Sequence, residues 1–473
     1  MSRLWNENFF KLTEMDPEEK IIYISRHPGF RYRFAQAEGI KIFQKQGETF
    51  MKEFDRIIGY AEEKLELERV CDIMRNPEKY QKLGVETPVG MLIKGDPGLG
   101  KTLMAQCFVE ASGLKTFICR KNKPAGDFVK EIRQTFEEAK AAAPSIVYLD
   151  DMDKFANDDP KHKNSDAFIT IQSCIDDVRG KGVFVLATAN ERFCIPDSLL
   201  RAGRFDRIIE IDAPEHDDAV KIIEHYLSKK KYVTGIDIEE ITRIMSGRSC
   251  AELESVINEA GIAAGFAGKE NIGMDDIVRA CLRVLFDAPE MIKTTGDSFK
   301  DIAYHEAGHV VCGELLEPGS VTLVSVAAHT GSTGGITSYY KNPHELKSKD
   351  YIEKRIIRDL GGRAATEIMF GKTDVGATHD LHDAFNMAEK LVDDYCTYGF
   401  GMFERNNSGN SLINRKETAM ALELERLYLD TKRMLIENRE FLDRIAAALI
   451  GKKTLLRKDI EEIRKTCRRV KTA

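Results

Sequence analysis

Short apolar runs alternate with longer segments of helical spacing through the first half of the chain. The runs are GMLIKG (90–95), KTFICR (115–120), SIVYLDD (145–151), GVFVLATAN (182–190) and RIIEIDAP (207–214). Apolar runs separated by helices are typical of strands buried on both faces, as in a parallel sheet covered by helices. The pattern therefore predicts an α/β domain over residues 51–213.

The strand-like runs stop after Pro214. Segments such as AVKIIEHYL (219–227) and AELESVINEAGIAAGFAG (251–268) carry apolar residues at helical spacing and predict a helical subdomain over 214–292. The polar stretch KTTGDS (293–298) precedes a mostly α-helical domain, which we place over 296–473. Residues 1–50 mix aromatic and charged residues without a clear period, so they form an N-terminal extension of unassigned role.

The composition indicates which kinds of partner and which cellular compartment to expect. The chain has 473 residues and a formal net charge of -7, so nothing electrostatic favours a nucleic-acid partner. Its ten cysteines are scattered singly, which indicates reduced thiols in the cytoplasm rather than a disulfide framework. Because the chain contains no apolar run of about eighteen residues, we expect a soluble protein without a membrane span.

A phosphate-binding loop follows the first apolar run. Residues 95–102, GDPGLGKT, fit the pattern GxxxxGK[ST] between a strand and a helical segment. Backbone N–H groups of such a loop surround phosphates, while Lys101 reaches the β- and γ-phosphates and the Thr102 hydroxyl binds Mg²⁺. The predicted nucleotide contacts are Asp96, Pro97, Gly98, Leu99, Gly100, Lys101, Thr102 and Leu103.

Two carboxylates, Asp150 and Asp151, end the third apolar run. At the carboxyl edge of a parallel sheet Asp150 would lie where a phosphate-bound Mg²⁺ sits. Two aspartates after a strand can also form a helix cap or a solvated turn. The phosphate loop upstream favours the magnesium interpretation.

An HExxH motif, His305 to His309, lies in a helical segment of the second half. The spacing places both imidazoles on one helix face, so they can share a zinc ion. Glu306 would act as general base on a zinc-bound water, whose pKa the metal lowers to about 7. The third ligand stays open on chemistry alone, because several candidates crowd one segment: Asp374, His379, Asp380, His382 and Asp383.

Residues 54 to about 285 resemble an AAA ATPase of the FtsH family of ATP-dependent zinc proteases. The resemblance rests on FDRIIGYAEEK (54–64), NPEKYQKLGVETPVGMLIKGDPGLGKT (76–102), RQTFEEAKAAAPSIVYLDDMD (133–153), ATAN (187–190) and LLRAGRFDRIIEIDAPE (199–215). It implies ATP as the nucleotide, bound with Mg²⁺, and contacts of Ile58 and Gly59 with the adenine.

The same resemblance implies that Asn190 polarises the attacking water. It also implies that Arg204 and Arg207 are donated to a neighbouring subunit's γ-phosphate, which requires a closed ring, hexameric in that family. The alternative for these arginines is surface pairing with Asp206 or Asp212.

Three further blocks are similar to the peptidase domain of this family, in the same order. They are AYHEAGHVV (303–311), DLGGRAATEIMFG (359–371) and VGATHDLHDAFNMAEKLV (375–392). The resemblance implies that Asp380 is the third zinc ligand and leaves His379 and His382 at the surface or behind the ligands. Asp380 precedes an apolar stripe expected to face the core: Leu381, Ala384, Phe385, Ala388 and Leu391.

The chain departs from the family pattern at two places. Asp151 stands where the family usually has a glutamate, and its shorter side chain reaches less far toward the attacking water. The family's aromatic pore loop should fall between Ile118 and Glu131, where Phe128 is the one aromatic residue. These departures predict slow ATP hydrolysis and weak traction on a substrate.

The sequence thus predicts an ATP-dependent zinc metalloendopeptidase that degrades polypeptides as a cytoplasmic homo-oligomer, a hexamer by resemblance. The helical region over about 414–473 is expected to pack between protomers. Two alternatives are a nucleotide-gated remodelling or scaffold protein with very slow hydrolysis and a zinc peptidase with a vestigial ATPase ring.

Overall fold

The structure is a computed structural model that describes most of the chain from residue 51 onward. The described ranges are 51–121, 124–156, 165–190, 195–288, 297–326, 334–342, 344–372, 377–395, 410–468 and 470–471. The predicted N-terminal extension and Asp374 lie outside them. The described residues from Glu53 onward belong to one packed unit.

A five-stranded parallel sheet forms the centre of the first domain, as the apolar runs predict. Its order is β2-β3-β4-β1-β5, and every neighbouring pair is parallel. The strands are β1 (Gly90–Gly95), β2 (Lys115–Arg120), β3 (Ser145–Asp150), β4 (Val183–Ala189) and β5 (Arg207–Ile211). Because β3, β4 and β1 are neighbours, the residues that follow them meet at one edge of the sheet.

Helices flank this sheet and then form the predicted helical subdomain. Those of the first group are α1 (Ala61–Arg75), α2 (Pro77–Gln81), α3 (Lys101–Ser112), α4 (Ala125–Ala141) and α5 (Ser165–Val178). The subdomain contains α6 (His216–Ser228), α7 (Ile238–Ile244), α8 (Cys250–Phe266) and α9 (Met274–Phe286). A capping box starts α8: the Glu252 N–H donates to Ser249 Oγ, and the Ser249 N–H donates to the Glu252 carboxylate.

The second domain is mostly helical, as expected. Its helices are α10 (Asp297–Leu316), α11 (Lys349–Phe370), α12 (Thr378–Asp393), α13 (Asn410–Glu437), α14 (Arg439–Lys452) and α15 (Arg457–Thr466). It also contains an antiparallel sheet of order β7-β6-β8 that the sequence analysis missed, with β6 (Val321–Ser325), β7 (Ile336–Tyr339) and β8 (Thr454–Leu456). These strands have three to five residues, too few for a clear alternation.

Two long helices of this domain, α10 and α11, approach each other closely at glycines. A Cβ on Gly308 would overlap the carbonyl oxygen of Gly361, so neither helix tolerates a side chain at this crossing. The close approach brings α11 against the face of α10 that carries the HExxH motif.

Phe128, the one aromatic residue in the segment where the family's pore loop should fall, is buried and does not face a pore. Its side chain is 1% exposed and packs edge-on against Phe155, with ring centroids 5.0 Å apart. The reason is helical periodicity, because Phe128, Ile132 and Phe136 form the inward stripe of α4.

The described helices include none that is both long enough and apolar enough to cross a lipid bilayer.

Candidate active sites: a nucleotide cleft and a metal centre

The predicted phosphate loop connects β1 to the start of α3. Lys101 is 5% exposed, and its ammonium group donates to the Asp96 carbonyl oxygen over 2.7 Å. Burial removes water from the Lys101 ammonium and lowers its pKa. A bound phosphate would compensate for this lost solvation. The loop also contacts the helical subdomain, because the Ala251 N–H donates to the Gly98 carbonyl oxygen over 3.0 Å.

A cleft of about 580 Å³ opens beside this loop, between the sheet domain and the helical subdomain. The predicted contacts Ile58, Leu99 and Leu103 line it. Gly59 has φ +73°, and a Cβ there would lie 2.7 Å from the side chain of Asp218, so the turn beside the cleft requires glycine. Sequence analysis missed the wall contributed by α6, the residue after it and α8, because these residues carry no motif: His225, Tyr226, Lys229, Cys250 and Glu254.

Asp150, the predicted magnesium residue, is buried and hydrogen-bonded at both oxygens. Tyr148 and Thr188 donate hydroxyls to Oδ1 over 2.7 and 2.9 Å, and Arg120 donates to Oδ2 from Nε, over 2.8 Å, and from Nη2. Burial opposes ionisation of Asp150, but the hydrogen bonds from Tyr148, Arg120 and Thr188 outweigh it and lower its pKa. The carboxylate is therefore charged and already saturated with donors.

Asp151 and Asn190 lie together, as the family resemblance implies. The Asn190 amide Nδ2 donates to Asp151 Oδ1 over 3.1 Å, and Lys154 donates to Oδ2 over 2.6 Å. The backbone N–H of Asp151 donates to the Thr188 hydroxyl over 3.0 Å. A polar cluster thus lies at the carboxyl ends of β3 and β4, next to the phosphate loop.

Both predicted finger arginines are paired within their own chain. Arg204 binds both carboxylate oxygens of Asp176, at 2.8 and 2.9 Å, and Arg207 lies 3.4 Å from a carboxylate oxygen of Glu66. Asp206, an alternative partner suggested by the sequence, instead accepts the backbone N–H groups of Val89 and Gly203. Surface pairing therefore occurs, but with acids from α1 and α5.

The HExxH histidines and Asp380 converge at the second site. Helical spacing brings His305 Nε2 within 3.0 Å of His309 Nε2, and Asp380 Oδ2 lies 3.1 and 3.5 Å from these two nitrogens. The three ligand atoms lie within 4.8 Å of one another. Two imidazoles and one carboxylate around one point, with the cleft beside them, suit a zinc ion with one open position.

The proton arrangement of this cluster also suits a cation. His309 Nδ1 lies 2.7 Å from the Arg358 carbonyl oxygen, so Nδ1 carries the donated proton and Nε2 is the nitrogen that can bind a metal. Burial disfavours a charged His309, but Asp380 outweighs this and raises the pKa of His309 to about 9. The pKa of Asp380 is well below its ordinary value, because its contacts with both histidines outweigh burial. The carboxylate thus demands a positive charge here, which a metal ion would supply.

Glu306 is 4% exposed and lines a cleft of about 350 Å³ beside the histidines. The Thr337 hydroxyl donates to Glu306 Oε2 over 2.7 Å, and a Cβ on Gly335 would lie 2.6 Å from Oε1. Both residues belong to β7 or its approach, which the sequence analysis did not recognise. Thr337 on the edge strand and Gly335 just before it thus fix the carboxylate.

The metal centre also requires a glycine at position 362 on α11, which the sequence did not reveal. A Cβ there would lie 2.5 Å from His305 Nε2 and 2.6 Å from His309 Nε2, which is the space between the ligand atoms. The remaining candidates lie farther out: His379 and His382 are exposed, and His379 lies 3.7 Å from Asp383. Ala384, Ala388 and Leu391 of α12 are buried as predicted, whereas Phe385 is half exposed.

Comparison with known proteins matches both halves of the chain. A model described as "ATPase family associated with various cellular activities (AAA)" matches residues 91–213, and one described as "Peptidase family M41" matches 293–463. "ATP-dependent zinc metalloprotease FtsH 2" of Thermoanaerobacter sp. (strain X514) is 30% identical over 428 residues, which cover 87% of this chain and 82% of the relative.

Two other relatives have similar sequence identity to this chain, and the chain covers different shares of their length. "ATP-dependent zinc metalloprotease FTSH 8, chloroplastic" of Arabidopsis thaliana is 30% identical over 439 residues, 85% of this chain and 63% of the relative. "ATP-dependent zinc metalloprotease FtsH 3" of Synechocystis sp. (strain ATCC 27184 / PCC 6803 / Kazusa) is 29% identical over 454 residues, 87% of this chain and 72% of the relative. Together with the two family models, these similarities show that the chain belongs to the FtsH family of ATP-dependent zinc metalloproteases, which use zinc, ATP and Mg²⁺.

Proposed function

We propose that this chain hydrolyses peptide bonds at a zinc centre formed by His305, His309 and Asp380, with Glu306 as general base. The observation that carries the proposal is the convergence of the three ligand atoms within 4.8 Å, beside a cleft that Glu306 lines. Bound zinc lowers the pKa of a coordinated water to about 7 and polarises a carbonyl. Glu306 accepts the proton of the attacking water and passes it to the leaving amine.

Strand β7 is suited to hold the substrate. It is an edge strand of its sheet, and its residue Thr337 binds the Glu306 carboxylate. An extended polypeptide can add to such an edge through main-chain hydrogen bonds, which accept many sequences. We therefore propose that unfolded polypeptide segments are the substrates.

ATP binding is proposed at the phosphate loop between an ATPase domain over 51–213 and a lid over 214–292. Lys101 binds the phosphates, while Thr102 and Asp150 bind the magnesium ion. Asp151 and Asn190 orient the attacking water, which their mutual hydrogen bond supports. The peptidase domain is proposed over 296–473.

We further propose a homo-hexameric ring in which Arg204 and Arg207 act on the neighbouring subunit's nucleotide. The side chain of Arg207 is half exposed, so a neighbour can approach it. To act there, the two arginines must exchange their pairing with Asp176 and Glu66 for the neighbour's phosphate. A cytoplasmic location is also proposed, on the ground that the described cysteines are free thiols.

Casein degradation with and without ATP, alongside phosphate release, tests the function. Glu306→Gln should abolish casein cleavage while ATP turnover and zinc content are kept, because the metal ligands survive and only the base is lost. Asp380→Ala should instead lower zinc content measured by elemental analysis. Glu224→Gln, an exposed change on α6, serves as the matched control.

The two alternatives give distinct results in the same assay. A remodelling protein would leave casein intact, and a peptidase with a vestigial ring would cleave it equally without ATP. Undiminished cleavage by Glu306→Gln would remove that residue from the mechanism.

A further inference from the structure

Arg120, at the end of β2, binds the carboxylate on which the proposed magnesium site depends. Arg120 and Asp150 are direct neighbours in the parallel ladder between β2 and β3, so the register itself places the guanidinium beside the carboxylate. Arg120 donates from Nε and Nη2 to Oδ2, while Tyr148 and Thr188 donate to Oδ1. Four donors therefore fill the four lone-pair positions of one carboxylate.

The members of this arrangement differ in their freedom to move. Tyr148 and Thr188 are 4% and 1% exposed and belong to central strands of the sheet. The Arg120 side chain is 63% exposed at the end of an edge strand. Mg²⁺ or a water bound to it needs an acceptor position on Asp150, and Arg120 is the donor that can vacate one.

We propose that Arg120 is a positioning residue that competes with Mg²⁺ for Asp150 and thereby raises the Mg²⁺ concentration that nucleotide binding requires. This inference rests on the proposed role of Asp150. In the metal-free state Arg120 neutralises the buried carboxylate and keeps it in place. On metal loading the exposed guanidinium swings into solvent and leaves Oδ2 free.

The test is a Mg²⁺ titration of ADP binding to the full chain, followed with a fluorescent ADP analogue. Arg120→Gln should lower the Mg²⁺ concentration at half-saturation about threefold, the effect of losing a partly exposed ion pair. Arg120→Lys keeps one charged donor and should give a value near that of the wild type. Arg444→Gln removes a comparable exposed arginine, paired with Glu440 on α14, and is the matched control.

A further variant separates this inference from the proposed magnesium site. If Asp150→Asn leaves the half-saturation unchanged, Asp150 does not serve the metal and the proposed site itself fails. Suppose that Asp150→Asn raises the Mg²⁺ concentration at half-saturation while Arg120→Gln leaves it unchanged or raises it. Arg120 then does not compete with Mg²⁺, and the proposed magnesium site stands. ADP affinity without Mg²⁺ should be the same in the wild type and in Arg120→Gln, which reports intact folding.

Residues 335–342, which we name the strap, form a continuous segment that contacts both the peptidase centre and the helical subdomain. At its first end Gly335 and Thr337 contact Glu306, and the Tyr339 hydroxyl donates to the His309 carbonyl oxygen over 2.9 Å. The strap therefore bears directly on the general base and on one proposed zinc ligand.

The other end of the strap lies on the helical subdomain beside the nucleotide cleft. The Lys341 N–H donates to Ser246 Oγ over 3.0 Å, and the Tyr340 ring stacks under the Arg243 guanidinium at 4.5 Å. Ser246 belongs to the turn between α7 and α8. Ser249 of the same turn is close to the phosphate loop, because a Cβ on Gly98 would lie 3.0 Å from its Oγ.

One short turn thus contacts the phosphate loop on one side and the strap on the other. We infer that the strap transmits the position of the helical subdomain to the peptidase centre, so that peptide cleavage depends on the bound nucleotide even when no unfolding is needed. This inference rests on the proposed roles of Glu306 and His309. When the turn moves with the bound nucleotide, it shifts Tyr340 and Lys341. That shift passes along β7 to Thr337 and so moves the Glu306 carboxylate.

The test uses a short fluorogenic peptide, which needs no unfolding, cleaved by the full chain with Mg²⁺-ATP, Mg²⁺-ADP or no nucleotide. Wild-type cleavage rates should differ by about fivefold between nucleotide states, the lower range of measured coupling between sites. Tyr340→Ala should remove that difference while zinc content and ADP affinity stay unchanged. Tyr232→Ala, an exposed tyrosine of the same subdomain, is the control and should behave as the wild type.

Two results would overturn the strap inference. One is a wild-type rate that is the same in all three nucleotide states, and the other is an unaltered nucleotide dependence in Tyr340→Ala. Absence of cleavage in every variant and state, by contrast, would count against the proposed peptidase centre itself.

Discussion

At the scale of single residues, the metal centre depends on two glycines without a Cβ as much as on its ligands. Gly362 leaves open the space between His305 Nε2 and His309 Nε2, and Gly335 leaves room for the Glu306 carboxylate. Thr337 then holds that carboxylate through its hydroxyl. The ligands follow from a motif, whereas these supporting residues are defined only by distance.

Gly362→Ala should abolish zinc binding, because the new methyl group would lie 2.5 Å from His305 Nε2. Zinc content by elemental analysis is the measurement, and circular dichroism checks that the helices remain. The matched control is Gly451→Ala on α14, where nothing lies within 4 Å of the added Cβ. That variant should keep zinc and gain about 0.5 to 1 kcal/mol in stability from helix propensity. A zinc-replete Gly362→Ala protein would show that the helices separate more easily than their packing indicates.

At the scale of elements, helical periodicity decides whether an aromatic residue is structural or functional. Phe128 lies in the segment expected to contact substrate, but α4 turns it inward with Ile132 and Phe136 against Phe155. Phe128 therefore packs α4 onto the core of the first domain and does not contact a polypeptide substrate.

Phe128→Ala should therefore destabilise the ATPase domain by about 3 to 5 kcal/mol, the usual cost of removing a buried aromatic side chain. Thermal unfolding followed by calorimetry measures this. Phe266→Ala on α8 removes a ring that is 95% exposed in the described structure and should change the melting temperature little. An unchanged melting temperature for Phe128→Ala, with substrate unfolding lost, would instead indicate that Phe128 contacts the substrate.

At the scale of the whole molecule, the ATPase requires groups from more than one chain if Arg204 and Arg207 act as proposed. Their pairing with Asp176 and Glu66 keeps them ordered at the surface, ready for exchange with a neighbour's phosphate. Burial of Phe128 removes the only aromatic residue between Ile118 and Glu131 from contact with substrate, which agrees with the weak traction expected from the sequence.

Arg204→Ala and Arg207→Ala should each suppress ATP turnover without weakening ATP binding, since a finger acts on the charge of the transition state. Mixing either variant with Lys101→Ala chains should partly recover turnover, because each chain then supplies what the other lacks. Native mass spectrometry verifies that mixed rings form. Mixed rings without any recovery would contradict action across the interface.

Weak traction should appear first on stable substrates, because domains cost about 5 to 15 kcal/mol to unfold. The experiment compares a stable domain with a destabilised mutant of it, both carrying the same unstructured tail, under saturating ATP. We expect rapid degradation of the mutant and slow degradation of the stable form. Equal rates would contradict weak traction.

The sequence by itself determined those parts of this protein that are local in the chain. Strand positions, the phosphate loop and the HExxH histidines follow from periodicity or from residues a few positions apart, and the described strands β1 to β5 agree with the apolar runs. Resemblance added Asp380, whose proximity to the histidines no spacing rule could supply.

Only the tertiary structure decided the features that join distant segments. The wall of the nucleotide cleft on α6 and α8, the pairing of Arg120 with Asp150 and the strap from the helical subdomain to Glu306 each bring together residues from different elements. Gly362 is defined in the same way, by its distance to ligands on another helix. Such contacts depend on how whole elements pack, which hydrophobic periodicity leaves open because it fixes the face of an element but not its partner.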